Sequence, residues 1–317
     1  MTEVSVVVAT CNRAPELAAC LGSLLAQTLP PTLVAVVDDA PGEGGTADVV
    51  RRFAGAPVLY VEGERRGLAA AHNRGLTRVG SPVVAFTDDD VVADRRWLER
   101  LVAPFRDDDR VACVTGRIVP YELDTPAQAL LERYAGFDKG AEHRVFELAE
   151  PRPADPLFPY AAGSFGSGAN MAFARTFLLA RGGFDPALGA GTPARGGDDL
   201  AAFFEVLRSG HRLIYEPEAV VRHRHAGELA ALERQVFGYG VGLTAYLTAT
   251  IARRPRSIAG AARRAPAGLA HILRGDSAKN ARLGAGYPPR LRRLERRGML
   301  LGPFAYARSR RAAGRPA

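Results

Sequence analysis

Residues 83–90 read VVAFTDDD, an apolar run that stops at three consecutive carboxylates. The run is rich in β-branched and aromatic residues and follows a Gly-Ser-Pro turn, so it predicts a buried strand. Because side chains alternate along a strand, Asp88 and Asp90 are expected on one side and Asp89 on the other. Two carboxylates facing one cleft repel each other unless a cation lies between them, and Mg²⁺ or Mn²⁺ prefers such oxygen ligands. An isolated acidic triplet is more often a solvated turn that caps the next helix, so the rest of the sequence has to decide.

Strands and helices alternate before this stretch. Strands are predicted at residues 4–9, 33–37 and 58–61, and helices after Pro15, at 48–53 and from Gly67, where the sequence reads GLAAAHNRG. Such alternation favours a parallel sheet, whose ligands bind beyond the carboxyl ends of the strands. Asp38 and Asp39, which end the second strand, are therefore expected at the same edge as the acidic triplet. The helix from Gly67 starts near this edge, where it could favour an anion or simply pack on the sheet.

The middle of the chain supplies several loops. After a helix at 97–102 and a strand at 111–115, residues 120–160 are predicted to be irregular and rich in proline, either as acceptor contacts or as a variable surface insertion. The small residues at 163–170 let a backbone approach a ligand, although a plain flexible loop fits equally well. A second glycine-rich loop, 182–197, ends at Asp198 and Asp199, which open a helix. Acids in a first helical turn are often only partners of the helix dipole.

A last strand is predicted at residues 212–215, and the sequence His223-Arg224-His225 follows Pro217 and a short apolar run. A His-x-His pattern on extended chain places both imidazoles on one side, where one of them could complete a metal site. A lone histidine is more often structural, and both interpretations of His223 remain open at this point.

Charge divides the chain unevenly. The net charge is +8, yet residues 226–317 hold 18 Lys and Arg against four acids, a net +14, and residues 1–225 carry −6. Apolar helical stretches beside arginine clusters suit an anionic membrane surface, and a solvated basic tail is the alternative. The chain contains neither a recognised nucleic-acid-binding module nor a basic stretch interleaved with aromatic residues, so nucleic acid is not an expected partner.

Composition sets the class. The 317 residues are 47% hydrophobic and 24% charged, which predicts a globular protein with a large core. We expect no signal peptide and no membrane-spanning helix. The three cysteines form no metal-like pair and suit reduced thiols in a cytoplasm.

Taken together, these motifs resemble family 2 glycosyltransferases of the GT-A fold. The resemblance rests on VVVATCNR at 6–13, VVDD at 36–39, GLAAAHNRG at 67–75, the triplet at 88–90 and GDDL at 197–200. Their order and spacing cover about 220 residues. Two positions depart from the family pattern, which usually has Arg at position 72 and Glu at position 198.

The resemblance implies a role for each matching residue. It implies that the nucleotide is bound by Thr10, Asn12, Arg13, Asp38, Asp39, Asn73, Asp88 and Asp89, that the metal is bound by Asp88, Asp90 and His223, and that Asp199 is the general base. Asp198, Gly168 and Asn170 are implied to support the acceptor side. The fold class is then α/β, a GT-A Rossmann-like mixed and mostly parallel sheet, with a catalytic domain at 1–225 and a basic helical region at 226–317.

The predicted function is an inverting, Mg²⁺- or Mn²⁺-dependent glycosyltransferase. It would move a sugar from a nucleotide-diphosphate donor to a hydroxyl of a glycan, a lipid-linked glycan or a small molecule, in cell-envelope or polysaccharide biosynthesis. Its expected place is the cytoplasm, with the basic region on the inner face of the membrane. One alternative is a phosphotransferase of the haloacid dehalogenase type using Asp88 and Asp90, although that chemistry expects its motif on the opening strand. The other is a non-enzymatic basic binding protein.

Overall fold

The structure is a computed structural model that describes residues 3–149, 155–274, 277–284 and 286–314. In these residues nine strands form one mixed sheet. They are β1 (Val4–Thr10), β2 (Val34–Asp38), β3 (Val58–Glu62), β4 (Val83–Asp88), β5 (Val91–Ala93), β6 (Val111–Pro120), β7 (Arg144–Phe146), β8 (Asn170–Ala174) and β9 (Arg212–His223). The mixed α/β class predicted from the sequence is confirmed.

The strand order is β3-β2-β1-β4-β8-β6-β9-β5, and β7 pairs with β9. Strands β3, β2, β1 and β4 run parallel, and β8 is antiparallel between β4 and β6. The register aligns the carboxyl ends of three parallel strands, since Thr10 lies opposite Asp38 and Ala9 lies opposite Asp88. The acids of the sequence motifs therefore meet at one edge of the sheet.

Helices cover both faces of this sheet. They are α1 (Ala14–Leu25), α2 (Thr46–Arg51), α3 (Leu68–Leu76), α4 (Trp97–Val102), α5 (Pro104–Asp107), α6 (Pro126–Ala135), α7 (Arg175–Leu179), α8 (Asp198–Arg208), α9 (Leu229–Arg253), α10 (Ser257–Leu273), α11 (Ala278–Leu283) and α12 (Pro289–Ala313). Strand alternation sends Val7 to one buried cluster, with Phe203 of α8, and sends Val6 to the other, with Leu17 of α1. Burial on both faces explains why the central strands are continuous apolar runs.

The segment 120–160 contains regular structure that the sequence interpretation missed. Helix α6 and strand β7 lie within it. A capping box starts α6, because the backbone N–H of Gln128 donates to the Thr125 hydroxyl and the backbone N–H of Thr125 donates to the Gln128 side chain. The prediction of an irregular segment was wrong here, because the proline at position 126 starts the helix rather than breaking it. Residues 150–154 lie outside the described residues.

Strand β9 is longer than predicted. It continues from Arg212 through Pro217 to His223, and a shift in its register with β6, between Gly116 and Arg117, accommodates the proline. The short strand β5 was not predicted. It pairs antiparallel with the end of β9 and places Val91 opposite His223. This pairing brings the predicted metal-binding histidine next to the acidic triplet.

The helices after residue 225 pack on the rest of the fold. Tyr246 of α9 belongs to the same buried cluster as Phe203 and Phe204 of α8, and α12 lies along α9. The Tyr306 hydroxyl of α12 donates to Asp185 at 3.1 Å. The hydrophobic core is thus continuous across position 225. Within the described residues, no helix combines the length and the apolar character needed to cross a bilayer.

Candidate active site

The carboxyl ends of β1 and β4 are joined by a polar network. The Thr10 hydroxyl donates to Asp89 at 2.7 Å, and Arg13 donates to Asp89 at 3.1 Å and to Asp90 at 2.6 Å. Asp89 therefore faces the loop after β1, and Arg13 also ties Asp90 to this loop. The strict alternation predicted for the triplet does not extend past the strand, because β4 ends at Asp88 and the other two acids lie in the turn that follows it.

Asp88, Asp90 and His223 form a cluster of candidate metal ligands. Their ligand atoms lie within 4.8 Å of one another, and His223 Nε2 is 3.3 Å from Asp90 Oδ1. Asp90 Oδ1 is buried and has no hydrogen-bond partner in the described residues, while its other oxygen is held by Arg13. Two carboxylates, one of them with an orphaned buried oxygen, and one imidazole fit a divalent cation that takes oxygen and nitrogen ligands.

The electrostatics of the cluster favour an added positive charge. Burial, followed by the neighbouring Asp90, raises the pKa of Asp88 well above its usual value. Burial also raises the pKa of Asp89 to about 6, although Arg13 opposes the shift. Burial lowers the pKa of His223, so its neutral form, the one that can bind a metal, is favoured. A bound cation would offset the repulsion among these carboxylates.

Asp38 and Asp39 sit at the end of β2 as expected. Asp38 accepts hydrogen bonds from the Ala40 backbone and from the Tyr60 hydroxyl, both within 3.1 Å. Asp39 accepts from two backbone N–H groups at the start of α3, those of Arg66 and Gly67, at 3.2 and 2.9 Å. Both acids are thus held rigidly at the sheet edge. The loop between β1 and α1 passes beside them, and Asn12 has a left-handed backbone there, with φ of 58°.

Asp199 lies at the start of α8 against the small-residue loop. Its Oδ2 accepts the backbone N–H of Gly168 at 2.9 Å, and its Oδ1 accepts that of Leu200 at 2.8 Å. Burial raises the pKa of Asp199, opposed by these N–H groups and by Lys139. A carboxylate with a raised pKa is the better proton acceptor, and the chemistry of a general base needs that property.

Asp198 points away from Asp199 into the interior. It is buried beside His72, whose Nδ1 lies 3.8 Å from its carboxylate. Burial, followed by Asp199, raises the pKa of Asp198 to about 7, and burial lowers that of His72 to about 3. Neither ring nitrogen of His72 has a hydrogen-bond partner in the described residues. The two positions that depart from the family pattern are therefore neighbours, and a neutral pair is favoured there.

Two predicted site residues, Asn73 and Asn170, use their side chains for hydrogen bonds within the fold. The Asn73 side-chain amide exchanges two hydrogen bonds with the Phe184 backbone, at 2.9 and 2.8 Å, and so ties α3 to the loop before α8. Asn170 is fully buried, accepts from the Trp97 indole at 2.8 Å and donates to two backbone carbonyls, those of Arg117 and Ala219. The structure does not bring these two side chains to the acidic edge.

Residues outside the sequence motifs also reach the site. Lys139, in the loop between α6 and β7, is close enough to Asp199 to affect its pKa. The pKa of Tyr239, on α9, is raised by burial and also by Asp88 and Asp199. Glu132 of α6 contacts His225 at 2.9 Å. The T-x-x-Q capping signature at 125–128 could have revealed α6, but no local signal placed its side chains beside β9.

Comparison with known proteins identifies a matching family and several similar proteins. The model of the family described as glycosyl transferase family 2 matches residues 5–178. A pre-mycofactocin glycosyltransferase of Mycobacterium tuberculosis is 34% identical over 200 residues, which are 62% of this chain and 38% of the relative. The chain therefore matches well under half the length of that relative.

Two further proteins extend the comparison. A glucosyl-dolichyl phosphate glucuronosyltransferase of Haloferax volcanii is 29% identical over 242 residues, covering 70% of this chain and 69% of the relative. A mannosyltransferase from Pyrobaculum calidifontis, solved in complex with GDP-Man and Mn²⁺, superposes with a TM-score of 0.59. That match covers 99% of this chain and 88% of the other at 24% identity, so it supports the fold.

Proposed function

The chain belongs to glycosyl transferase family 2, and from this premise we propose that it is an inverting, metal-dependent glycosyltransferase using a nucleotide-diphosphate sugar. The observation that carries the proposal is the convergence of Asp88, Asp90 and His223 within 4.8 Å at the strand ends. The same edge carries Thr10, Asp38 and Asp39, and Asp199 lies on the adjoining loop and helix.

The donor side is formed by the loop after β1 and the end of β2. Thr10, Asn12, Arg13, Asp38, Asp39, Asp88 and Asp89 are proposed to bind the nucleotide. Carboxylates suit ribose hydroxyls because each can accept two hydrogen bonds. The engaged side chains of Asp38 and Asp39 pre-organise the edge, and Arg13 can exchange a carboxylate contact for one with a phosphate. Asn73 would act by holding the loop that precedes α8.

The transfer is proposed to be a single displacement. Asp199 removes the proton of the acceptor hydroxyl as that oxygen attacks the anomeric carbon, and the bond from this carbon to the diphosphate oxygen breaks. The Gly168 N–H fixes the Asp199 carboxylate, and Asp198 and Asn170 support α8 and β8 behind it. A divalent cation held by Asp88, Asp90 and His223 would stabilise negative charge on the leaving diphosphate. Inversion at the anomeric carbon follows from one direct displacement.

Mn²⁺ or Mg²⁺ is the proposed ion. The ligand set combines two carboxylates with one imidazole, and imidazole is a better ligand for Mn²⁺ than for Mg²⁺. The proposed acceptor is a hydroxyl of a glycan, a lipid-linked glycan or a small molecule, in cell-envelope or polysaccharide synthesis. The related glucuronosyltransferase, whose name contains glucosyl-dolichyl phosphate, a lipid-linked sugar, lends support to a lipid-linked acceptor.

The outer face of α12 supports a proposed contact with anionic lipid at the cytoplasmic face of a membrane. Leu300 and Phe304 are each 75% exposed on it. The helical spacing places Arg293 before them and Arg311 after them on the same side. The described part of residues 226–317 contains three acids, Glu228, Glu233 and Glu295, so the positive charge is little compensated. Exposed apolar side chains between arginines are typical of helices that bind membrane interfaces.

The alternative functions are not favoured. A phosphotransferase of the haloacid dehalogenase type would have its Asp-x-Asp motif on the opening strand, whereas here the motif ends β4. A purely basic binding protein gives no reason for acids at three strand ends. Both alternatives also conflict with the family match.

The proposal is tested by exposing the full-length protein to a panel of nucleotide sugars with and without Mn²⁺. We expect one donor to raise the melting temperature and to be hydrolysed slowly, in both cases only when Mn²⁺ is present. Neither measurement requires an acceptor. Equal responses with and without the ion would reject metal dependence. The absence of any response to every donor would reject the donor class.

A further inference from the structure

Four side chains lie in a continuous line from the metal cluster to α6. Asp90 Oδ1 is 3.3 Å from His223 Nε2, His223 Nδ1 is 3.0 Å from His225 Nδ1, and His225 Nε2 is 2.9 Å from Glu132 Oε2. The His225 side chain is fully buried, and those of Glu132, His223 and Asp90 are 21%, 12% and 14% exposed. The line is therefore largely shielded from solvent, which would otherwise supply alternative partners.

With Glu132 ionised and both imidazoles neutral, the direction of each hydrogen bond in this line is fixed. An ionised Glu132 carboxylate can only accept, so His225 Nε2 must carry the proton that it accepts. A neutral His225 then has its lone pair on Nδ1, and this lone pair accepts the Nδ1–H of His223. A neutral His223 with its proton on Nδ1 has its lone pair on Nε2. That lone pair faces the orphaned Asp90 Oδ1.

We propose that Glu132 and His225 are positioning residues that set the tautomer and ring orientation of His223, so that its Nε2 lone pair is presented to a divalent cation. Two acceptor atoms 3.3 Å apart repel each other unless a cation binds both. Partners that orient metal-binding histidines are a general feature of metal sites. The inference rests on the proposed function, because it assigns roles toward the same metal.

The surroundings hold the two rings in place. Phe137 packs on both imidazoles, with ring centroids 5.6 and 5.7 Å away, and the Gln128 side chain donates to the His225 carbonyl at 3.2 Å. Gln128 also closes the capping box of α6. The same helix thus fixes the backbone of His225 and, through Glu132, its side chain. Rotation of either ring would break contacts on two sides.

The test measures Mn²⁺ affinity by the electron paramagnetic resonance signal of the free ion. The variants are Glu132→Ala and His225→Phe, and the latter retains a ring for packing. The matched control is Glu147→Ala, which removes a carboxylate of similar exposure (26%) that binds Arg212. We expect the first two variants to bind Mn²⁺ about 10 to 100 times more weakly and the control to bind as the wild type does. Asp90→Ala should abolish binding.

A second measurement does not depend on any variant folding. Long-range ¹H–¹⁵N spectra of ¹⁵N-histidine-labelled, metal-free protein report which ring nitrogen carries the proton. We expect His223 protonated on Nδ1 and His225 on Nε2. The opposite tautomers would overturn this inference while leaving the metal site intact. The same conclusion would follow if Glu132→Ala and His225→Phe both bound Mn²⁺ as tightly as the control does. Wild-type protein without Mn²⁺ affinity, or an unchanged Asp90→Ala variant, would overturn the metal site itself.

Discussion

At the scale of single residues, Asp90 and Asp199 are proposed to have different roles, as metal ligand and general base, although both are partly buried carboxylates. Asp90 shares the metal cluster with Asp88 and His223, and Asp199 is held by the backbone of the loop at Gly168. Removing a metal ligand should prevent metal-dependent donor binding. Removing the base should leave the donor site intact, because no donor-side group contacts Asp199 through its side chain in the described residues.

We therefore expect Asp90→Ala to lose Mn²⁺-dependent donor binding, and Asp199→Asn to keep donor affinity while its turnover falls. General-base assistance is worth about 10²–10⁴ in rate, so the loss in Asp199→Asn should be of that size. Donor affinity is measured by calorimetry and turnover by product formation. Full turnover in Asp199→Asn would place the base elsewhere, and retained anomeric configuration in the product would exclude the single displacement.

Asp198 is the natural control for that experiment and gives a separate prediction. One helical step turns its side chain about 100° from that of Asp199, so Asp198→Asn should reduce transfer less than Asp199→Asn. Its effect should appear in stability instead. Burial raises the pKa of Asp198 to about 7 in the folded protein, against about 3.9 in the unfolded chain. The folded state therefore holds this proton more tightly.

A raised pKa in the folded state stabilises the protein at low pH, and this stabilisation is lost as pH rises through about 4 to 7. Asparagine has no proton to lose there. We expect the melting temperature of wild type minus that of Asp198→Asn to fall between pH 5 and pH 8, as measured by calorimetry. Differences that stay constant over this range would mean that Asp198 is ionised in the fold throughout.

At the scale of elements, the contact between α9 and α12 depends on glycines. A Cβ added at Gly298 would overlap the Phe237 carbonyl oxygen, and one added at Gly240 would overlap the Glu295 carbonyl oxygen. Small residues at these positions let the two helices approach closely. Gly22, in the exposed middle of α1, has no atom within 4 Å of the same position.

Gly298→Ala should therefore destabilise the protein by about 1–3 kcal/mol through overpacking. Gly22→Ala should stabilise it by about 0.5–1 kcal/mol, because alanine is the better helix former and meets nothing. Urea unfolding of both variants measures the two effects with opposite signs. A neutral Gly298→Ala would show that α12 is free to shift away from α9.

Some helices and strands could be predicted from the sequence and others could not. The strands β1, β2 and β4 were predicted within about a residue of their ends, because buried parallel strands are continuous apolar runs that stop at polar residues. Helix α6 was missed because the whole segment 120–160 was interpreted as irregular from prolines that lie after this helix, whose own Pro126 occupies its first position. Strand β5, three residues long, has no local signal of its own and exists through its pairing with β9.

The candidate site could likewise be predicted only in part from the sequence. Groups that follow predicted strands, such as Asp88 and Asp90, could be placed together because parallel strands share an edge. Glu132 and Tyr239 could not, since each reaches the site through packing between elements distant in sequence. Asn73 and Asn170 show the converse case, because motif membership alone did not reveal that their amides make hydrogen bonds inside the fold.

At the scale of the whole molecule, we propose that residues 1–225 carry the chemistry and residues 226–317 form a helical layer packed on them. The layer does more than cover the surface. Leu131 and Tyr134 of α6 share a buried cluster with Leu232 and Val236 of α9, so the layer also supports the helix that carries Glu132. Deleting residues 226–317 would expose this cluster. A membrane role is therefore better tested by point substitutions on the outer face of α12.

Full-length protein should float with vesicles that contain anionic phosphatidylglycerol and much less with neutral phosphatidylcholine. Each arginine near such a surface adds about 1 kcal/mol of attraction, which salt weakens. Leu300→Ser/Phe304→Ser removes the exposed apolar pair and should release the protein. The matched control is Leu123→Ser/Leu179→Ser, which alters exposed leucines (47% and 42%) outside the basic helices and should bind as the wild type does. Equal flotation of the two double variants would exclude α12 as the contact, and equal recovery with both lipids would reject the membrane surface as a partner.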